Sequence, residues 1–231
     1  LNDNEYIAII PPKKNSMFAK GTSYFSKYVY CYGFAHEVNN DGKDPYLYNF
    51  FNDGGQETYL VYIGTDKDWL DEWFHGWLEF DISTIPDQAT ITSVYLELAI
   101  ASINDLGSSD PFDQHIVHLE IRTMEKRPSN YGYHSGDSCS AGRELFYDVQ
   151  DGTILATAYV EQRETQQYVV TIKLNDYANT YLKNMLTYDW IAFGLRDADE
   201  YCSDIDRGIA LLGESCRLIV HYRYDKPDLI I

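Results

Sequence analysis

The stretch GWLEFDISTIPDQATITSVYLEL, residues 76–98, has the pattern that decides the fold. Its first half alternates apolar Leu78, Phe80 and Ile82 with acidic residues, which is the period-two pattern of a strand with one buried face. After a turn signal around Pro86 the same alternation resumes and continues to the end of the stretch. The stretch therefore predicts two strands joined by a tight turn.

Nothing in this stretch looks like an active site. We predict that its apolar residues form core and turn framework; they include Phe80, Ile82, Ile85 and Ile91. Asp81 precedes Ser-Thr-Ile-Pro, where a carboxylate is well placed to accept hydrogen bonds from turn amides. We predict that role for Asp81 rather than an acid role in catalysis.

Short apolar segments typical of strands recur along the rest of the chain. They include NEYIAII, TYLVYIG, HIVHLEIRTM, QQYVVTIKLN, DWIAFGLRD and RLIVHYRY. RPSNYGYHSGDSCSAG, residues 127–142, is predicted to be a long polar loop. One short helix is predicted in DYANTYLKNMLT, with Asn175 as its N-cap and an apolar stripe at helical spacing. The stripe consists of Ala178, Tyr181, Leu182 and Met185.

Many strands with one short helix favour an all-β fold, an antiparallel two-sheet sandwich of jelly-roll type. The chain has 231 residues, which fits a single sandwich domain over 1–231. The apolar segments near the ends, YIAII and DLII, are predicted to be assembly tails, covering 1–12 and 225–231.

The balance of charged residues indicates which kinds of partner the protein can bind. The chain has 18 Lys and Arg against 36 Asp and Glu, a formal net charge of −18, and such a surface repels phosphate backbones. We therefore expect no nucleic acid partner. No apolar run approaches the ~18 residues of a membrane helix, so no membrane span is expected. The 21 tyrosines offer stiff contact area with a polar tip, suited to protein interfaces or sugar stacking.

Four cysteines are spread widely along the chain without a C-x-x-C pair, so no zinc ribbon or thioredoxin-type site is encoded. They are Cys31, Cys139, Cys202 and Cys216. Two disulfides of undetermined pairing are predicted, and a reduced cytosolic chain with buried thiols is the alternative. The chain begins at Leu1 without a leader-like segment, as expected of a mature secreted protein or a trimmed chain.

A family resemblance rests on the order of three segments. These are WLEFDISTIPDQATITSVYLEL, then YVVTIKLNDYANTYLKNMLTYDWIAFGL, then CRLIVHY. This order resembles the DNRLRE-type domains, jelly-roll modules related to disaggregatase and to some alginate-binding carbohydrate modules. The resemblance covers about residues 60–224, although HGW stands where those domains often have Arg, and the aromatic stretch before residue 60 is unlike a minimal module. It implies a jelly-roll fold and an extracellular habitat, while no ligand residue carries over.

RDADEYCSDIDRG contains five carboxylates in one predicted loop. They are Asp197, Asp199, Glu200, Asp204 and Asp206. Calcium takes 6–8 hard oxygen ligands, so this loop is a candidate Ca²⁺ site. The alternative is a solvated acidic loop, which is common on so acidic a surface.

Trp69, Trp73 and Trp77 follow one another at intervals of four residues in WLDEWFHGW. They are predicted to form a flat aromatic platform for a glycan or a protein partner. If the segment were helical, the same spacing would also leave the three indoles on one side. The alternative is that Trp77 packs against a sheet and the others cover an edge.

No nucleophile-elbow, catalytic Cys or isolated acid-pair signature is found, so a non-catalytic protein is predicted. The first hypothesis is an extracellular structural subunit that self-assembles into a cell-surface sheath, tube or filament, with its apolar tails inserted into neighbouring copies. The alternative is a secreted carbohydrate-binding module that recognises an extracellular polysaccharide.

Overall fold

The computed structural model of the protein describes residues 5–11, 32–38, 46–48, 60–66, 72–107, 110, 112–130, 139–200 and 206–224. These residues contain twelve strands: β1 (Glu5–Ile10), β2 (Tyr32–Val38), β3 (Tyr46–Tyr48), β4 (Leu60–Asp66), β5 (Glu72–Asp81), β6 (Thr90–Ile100), β7 (Ile116–Thr123), β8 (Ile154–Glu161), β9 (Tyr168–Lys173), β10 (Trp190–Asp197), β11 (Arg207–Leu212) and β12 (Arg217–Arg223). The helices in the same residues are α1 (Ile103–Leu106), α2 (Cys139–Asp151) and α3 (Asp176–Met185), with single 3₁₀ turns at Pro128–Asn130, Leu186–Tyr188 and Gly213–Ser215.

All the strands belong to one sheet, and every pair of named strands is antiparallel. The strand order is β1-β12-β6-β11-β4-β5-β10-β7-β8. In addition, β9 pairs with β6, β2 pairs with β5, and β3 pairs with β2. The predicted all-β antiparallel class is confirmed. The predicted two-sheet jelly-roll sandwich is not found, because β6 pairs with β11 through Ile100 and Leu211 and so joins all the strands into one sheet. The expected single helix is also corrected, since α2 adds 13 helical residues.

The stretch from residue 76 to 98 forms the predicted strands β5 and β6, with Phe80, Ile82 and Ile85 buried. Asp81 accepts a hydrogen bond from the backbone amide of Ser83 at 3.0 Å, as predicted. The two strands are not partners of each other, because β5 pairs with β2, β4 and β10 while β6 pairs with β9, β11 and β12. The turn between them therefore moves the chain from one part of the sheet to another.

The main core is formed by the inward faces of β4 to β12 and by α3. Leu78 and Phe80 of β5 and Leu96 and Leu98 of β6 are fully buried within it. These residues alternate along their strands, so the period-two pattern in the sequence corresponds to the core-facing side of each strand.

The predicted helix in DYANTYLKNMLT is confirmed as α3. The Asn175 side chain caps it by accepting hydrogen bonds from the amides of Tyr177 and Ala178 at 3.1 and 3.3 Å. Ala178 and Leu182 are buried, and the other two residues of the predicted stripe pack against the main core. Helix α3 thus lies with its apolar stripe on the sheet, as its spacing indicates.

The sequence patterns did not predict helix α2, because its first residues fall at the end of the predicted polar loop over 127–142. It packs Phe146 and Val149 into a second cluster of buried residues with Trp77 and Trp190. Gly194 of β10 permits this approach, since a Cβ there would lie 2.9 Å from the Val149 methyl carbons. Within the described residues, no helix has the length and apolar character needed to cross a membrane.

The prediction of disulfides is wrong for Cys216, which is a free and fully buried thiol. Its Sγ donates to the backbone oxygen of Leu212 at 3.6 Å. Cys31 and Cys202 lie outside the described residues, and Cys139 is described only as the first residue of α2. Burial raises the pKa of the Cys216 thiol to about 12, because the thiolate is poorly solvated inside the core.

Cys216 is therefore expected to resist alkylation in the folded protein from pH 7 to 9 and to react at once in urea. The folded-state pKa lies above the ordinary thiol value, so this residue favours unfolding increasingly as the pH rises from about 9 towards 12. Peptide-resolved mass spectrometry after iodoacetamide treatment reads out this residue separately from the other cysteines. Labelling of Cys216 at pH 8 without denaturant would contradict its burial.

Candidate functional site

The predicted calcium loop begins at Asp197, the last residue of β10, whose side chain is fully buried. Arg207 donates to both of its carboxylate oxygens, at 2.6 and 2.8 Å. The backbone amides of His118 and Asp199 donate to it as well, at 3.1 and 3.2 Å. Burial raises the pKa of this carboxyl, and the guanidinium and the two amides act in the opposite direction. The Asp197 oxygens are thus occupied by donors from three parts of the chain.

Asp199 is the exposed member of the same group, with 43% of its side chain accessible. It lies 3.1 Å from the Arg207 guanidinium and 3.7 Å from Nδ1 of His118. The His118 ring stacks on Tyr159 with the centroids 4.4 Å apart, and Tyr159 is 75% exposed. An aromatic face and a charged pair therefore adjoin one another on the outer side of β7 and β8.

Glu200 points inward and is fully buried, as is its partner His75 of β5. The Nε2 atom of His75 lies 2.9 Å from the Glu200 carboxylate, and its Nδ1 atom lies 3.1 Å from the backbone oxygen of Phe146. Because a carbonyl oxygen only accepts, Nδ1 is the donor to Phe146, and Nε2 faces the Glu200 carboxylate. The His75 ring also stacks on the Phe146 ring at 3.8 Å, so this pair joins β5, α2 and the turn at residue 200.

A row of ion pairs continues from Glu200 across the sheet. Arg196 lies 3.3 Å from Glu200 and 3.1 Å from Glu120, and Arg122 lies 2.7 Å from Glu120. Arg122 also donates to the backbone oxygens of Gln150 and Gly152, at 2.6 and 2.8 Å. These bonds fix the carboxyl-terminal end of α2 to β7, where cationic groups favourably meet helix carbonyls.

The acidic residues predicted as calcium ligands are divided between different partners. Asp197 and Asp199 face Arg207. Glu200 faces His75 and Arg196. Asp206 is buried, and Asp204 lies outside the described residues. Across the described ranges, no three His, Cys, Asp or Glu side chains form a group that could hold a metal ion. A calcium ion at Asp197 would have to replace Arg207, so the calcium site stays a prediction.

The predicted aromatic platform is corrected for two of its three residues. Trp73 and Trp77 are 4% and 1% exposed and pack beneath α2, so neither can stack on a sugar ring. The Trp73 indole nitrogen donates to the backbone oxygen of Glu200 at 3.2 Å. The segment is strand β5 rather than a helix, and Trp69 lies outside the described residues.

The predicted tail segment YIAII is a strand of the sheet. It forms β1, which pairs along its whole length with β12 of the same chain, so it does not hang free for insertion into a neighbour. The segment DLII lies outside the described residues. Strand β1 is nevertheless at the end of the sheet, and its outward side chains Ile7 and Ile9 are 45% and 64% exposed.

A second edge of the sheet formed by the described strands lies at β9. Residues 95–97 of β6 pair with β12 and with β9 at once, so these two strands lie on opposite sides of β6. Strands β1, β12, β6 and β9 therefore follow one another in space, and we call them the four-strand group. Among the described strands, β9 pairs only with β6, and Val169 on its outer side is 58% exposed.

Sequence reasoning missed two buried polar residues of β5, His75 and Glu79. Arg127 donates to Glu79 at 3.0 Å, and Ser129 donates to it through its amide and its hydroxyl at 2.8 and 2.9 Å. The signal was present, because Trp77 lies on the same side of the strand as both of these residues. A tryptophan on the polar side of a strand indicates that this side is also covered.

No protein-family model matches this sequence, and a search of curated proteins found no match. The resemblance to the DNRLRE-type domains therefore stays a prediction.

Proposed function

We propose that this chain is a non-catalytic extracellular structural subunit that self-assembles into a cell-surface sheath, tube or filament. The observation that carries the proposal is that, among the described strands, β1 and β9 at the two ends of the four-strand group each pair on one side only, and both have exposed aliphatic side chains. An open edge offers unpaired backbone amides and carbonyls to another strand.

The edge sequences support this function, because they lack the features that usually prevent edge pairing. Proteins protect exposed edges with charges, prolines or bulges within the strand. Strand β1 reads EYIAII and β9 reads YVVTIK; each has its one charged residue at an end, and their pairing registers are regular. Both are rich in residues that favour strands. Pro11 follows β1 and does not interrupt it.

The net charge of −18 opposes contact between copies, so the proposal includes a role for ions. Millimolar calcium or high salt is expected to promote assembly, because the Debye length falls from about 10 Å at 0.1 M to 3 Å at 1 M. Calcium stays the candidate cation, and we expect it to act by binding to the acidic surface as a whole.

We expect the untagged full-length chain to form concentration-dependent polymers in size-exclusion chromatography and ordered particles in negative-stain microscopy. The measurement is made with and without millimolar calcium, at low and at high salt. A chain that remains monomeric at millimolar protein concentration in all these conditions would overturn the proposal.

A carbohydrate-binding module is the second candidate function, and exposed Tyr159 favours it. Its ring lies flat against His118 with Asp199 nearby, and sugar rings bind to exposed aromatic faces flanked by polar groups. A monomeric chain that gives a glycan-array signal, lost in Tyr159→Ala, would replace the first function with this one.

A further inference from the structure

We infer that β9 of one copy pairs with β1 of the next copy, so that the four-strand group continues from subunit to subunit as one antiparallel sheet. The inference rests on the proposed function and identifies its contact. The two strands are different surfaces of the chain, so the contact is heterologous, and a heterologous contact that does not close into a ring grows into a filament.

The strand directions in the group allow this contact without turning either copy around. Each neighbouring pair in the group, β1 with β12, β12 with β6 and β6 with β9, is antiparallel. Four strands that alternate in direction leave the two outer strands running in opposite directions. A second copy placed beside the first by translation along the sheet therefore brings its β1 antiparallel to β9, and the named strands within the chain also pair in the antiparallel sense.

The two edges also match residue by residue. Each strand has six residues, and full overlap in the antiparallel sense places Lys173 opposite Glu5 of the next copy and Val169 opposite its Ile9. All four side chains are on the outer side of the group. An opposite-charge pair at one end and an aliphatic pair at the other are both favourable across antiparallel strands. A shift by one residue would place inner side chains opposite outer ones.

The inner sides of the two edges are incompletely covered in the single chain. Val170 of β9 and Ala8 of β1 are only partly buried, although both pack against the main core. In the same register these two residues face each other between copies. Pairing would therefore extend the inner core across the contact and shield apolar surface that each copy leaves at its edge.

The outer side of the four-strand group does not share the negative charge excess of the whole chain. Its cationic residues Arg217, Arg223 and Lys173 outnumber the acidic residues Glu5 and Glu97, three against two. The whole chain has a net charge of −18. Glu5 lies 2.9 Å from Arg223 on this side of the group.

A contact through a single strand pair is smaller than the roughly 1,200–2,000 Å² of standard specific interfaces. We therefore expect growth to depend steeply on protein concentration. The contact is expected to weaken when either edge is changed and to recover only when complementary edges meet.

The test uses full-length Ile9→Lys and Val169→Glu, with Ile154→Lys on the outer side of β8 as the control. The changed residues are 64%, 58% and 40% exposed, so each variant is expected to keep the wild-type melting curve. Each edge variant alone is expected to need about tenfold more protein to assemble, because a charge is placed against an aliphatic residue in the strand pair. The control is expected to change this concentration less than about twofold.

A 1:1 mixture of the two edge variants is expected to restore assembly, because the introduced lysine and glutamate face each other at one contact and the other contact stays native. If the wild type assembles but the single variants do so equally well, or the mixture fails to recover, the β9–β1 contact is wrong and the structural function stands. An equal loss of assembly in Ile154→Lys would also overturn the β9–β1 contact. A wild type that does not assemble would overturn both proposals.

Discussion

Replacing Glu200 with alanine is expected to lower the free energy of unfolding by about 3–5 kcal/mol, the usual cost of removing one partner from a buried ion pair. His75 is fully buried against Glu200, and Arg196 lies 3.3 Å from the same carboxylate. Without Glu200, His75 loses its closest acceptor and Arg196 loses one of its two carboxylate neighbours, in a site from which water is excluded. For a chain of this size the loss corresponds to a fall in melting temperature of roughly 6–20 °C.

The measurement is urea unfolding followed by circular dichroism, with Glu144→Ala as the matched control. Glu144 pairs with Lys126 at 3.4 Å, but both side chains are about half exposed (48% and 47%), and exposed pairs contribute about 0–1 kcal/mol. If Glu200→Ala lost no more stability than this control, the buried row of charges would not be a structural element of the fold.

Replacing Gly64 with alanine is expected to cost about 2–6 kcal/mol of unfolding free energy. Gly64 of β4 has φ 144°, a conformation that residues with a side chain rarely adopt, and such a backbone costs about 1–3 kcal/mol. A Cβ at this position would also lie 2.2 Å from the backbone oxygen of Arg207 and 2.5 Å from the Cα of Gly208. Strands β4 and β11 would have to separate, and overpacking of this kind adds about 1–3 kcal/mol.

Gly194→Ala is the control for this prediction. The three atoms nearest to a Cβ at Gly194 all belong to the side chain of Val149, at 2.9–3.1 Å, and the φ of Gly194 is not positive. The expected loss is therefore about 1–3 kcal/mol from packing alone. Equal urea midpoints for the two variants would contradict a backbone origin of the Gly64 effect.

Local sequence patterns predicted the elements whose cause is local. The alternation of apolar residues in β5 and β6 requires only that one side of each strand be buried, and both strands are found. Helix α3 has its N-cap at Asn175 and its stripe within eleven residues, so neighbouring residues were enough to predict it. The turn role of Asp81 depends on an amide two residues away.

The incorrect predictions share a dependence on distant residues. Whether Trp73 is exposed depends on helix α2, which packs over β5 from far along the chain. Whether Glu200 is free to bind calcium depends on His75, which is 125 residues away. A composition rich in Asp and Glu predicts an acidic surface, yet several of these carboxylates are inside the protein beside arginines.

The sequence by itself determined the all-β class, the core-facing side of its clearest strands, the cap of α3 and the overall negative charge. Each of these follows from residue type and spacing, which are properties of neighbours in the chain. Only the tertiary structure decided that β5 and β6 have different partners, that β1 and β9 lie at edges of the sheet formed by the described strands, and that buried charges neutralise one another. Pairing partners and burial are set by packing between distant segments, and that packing has no signature in local spacing.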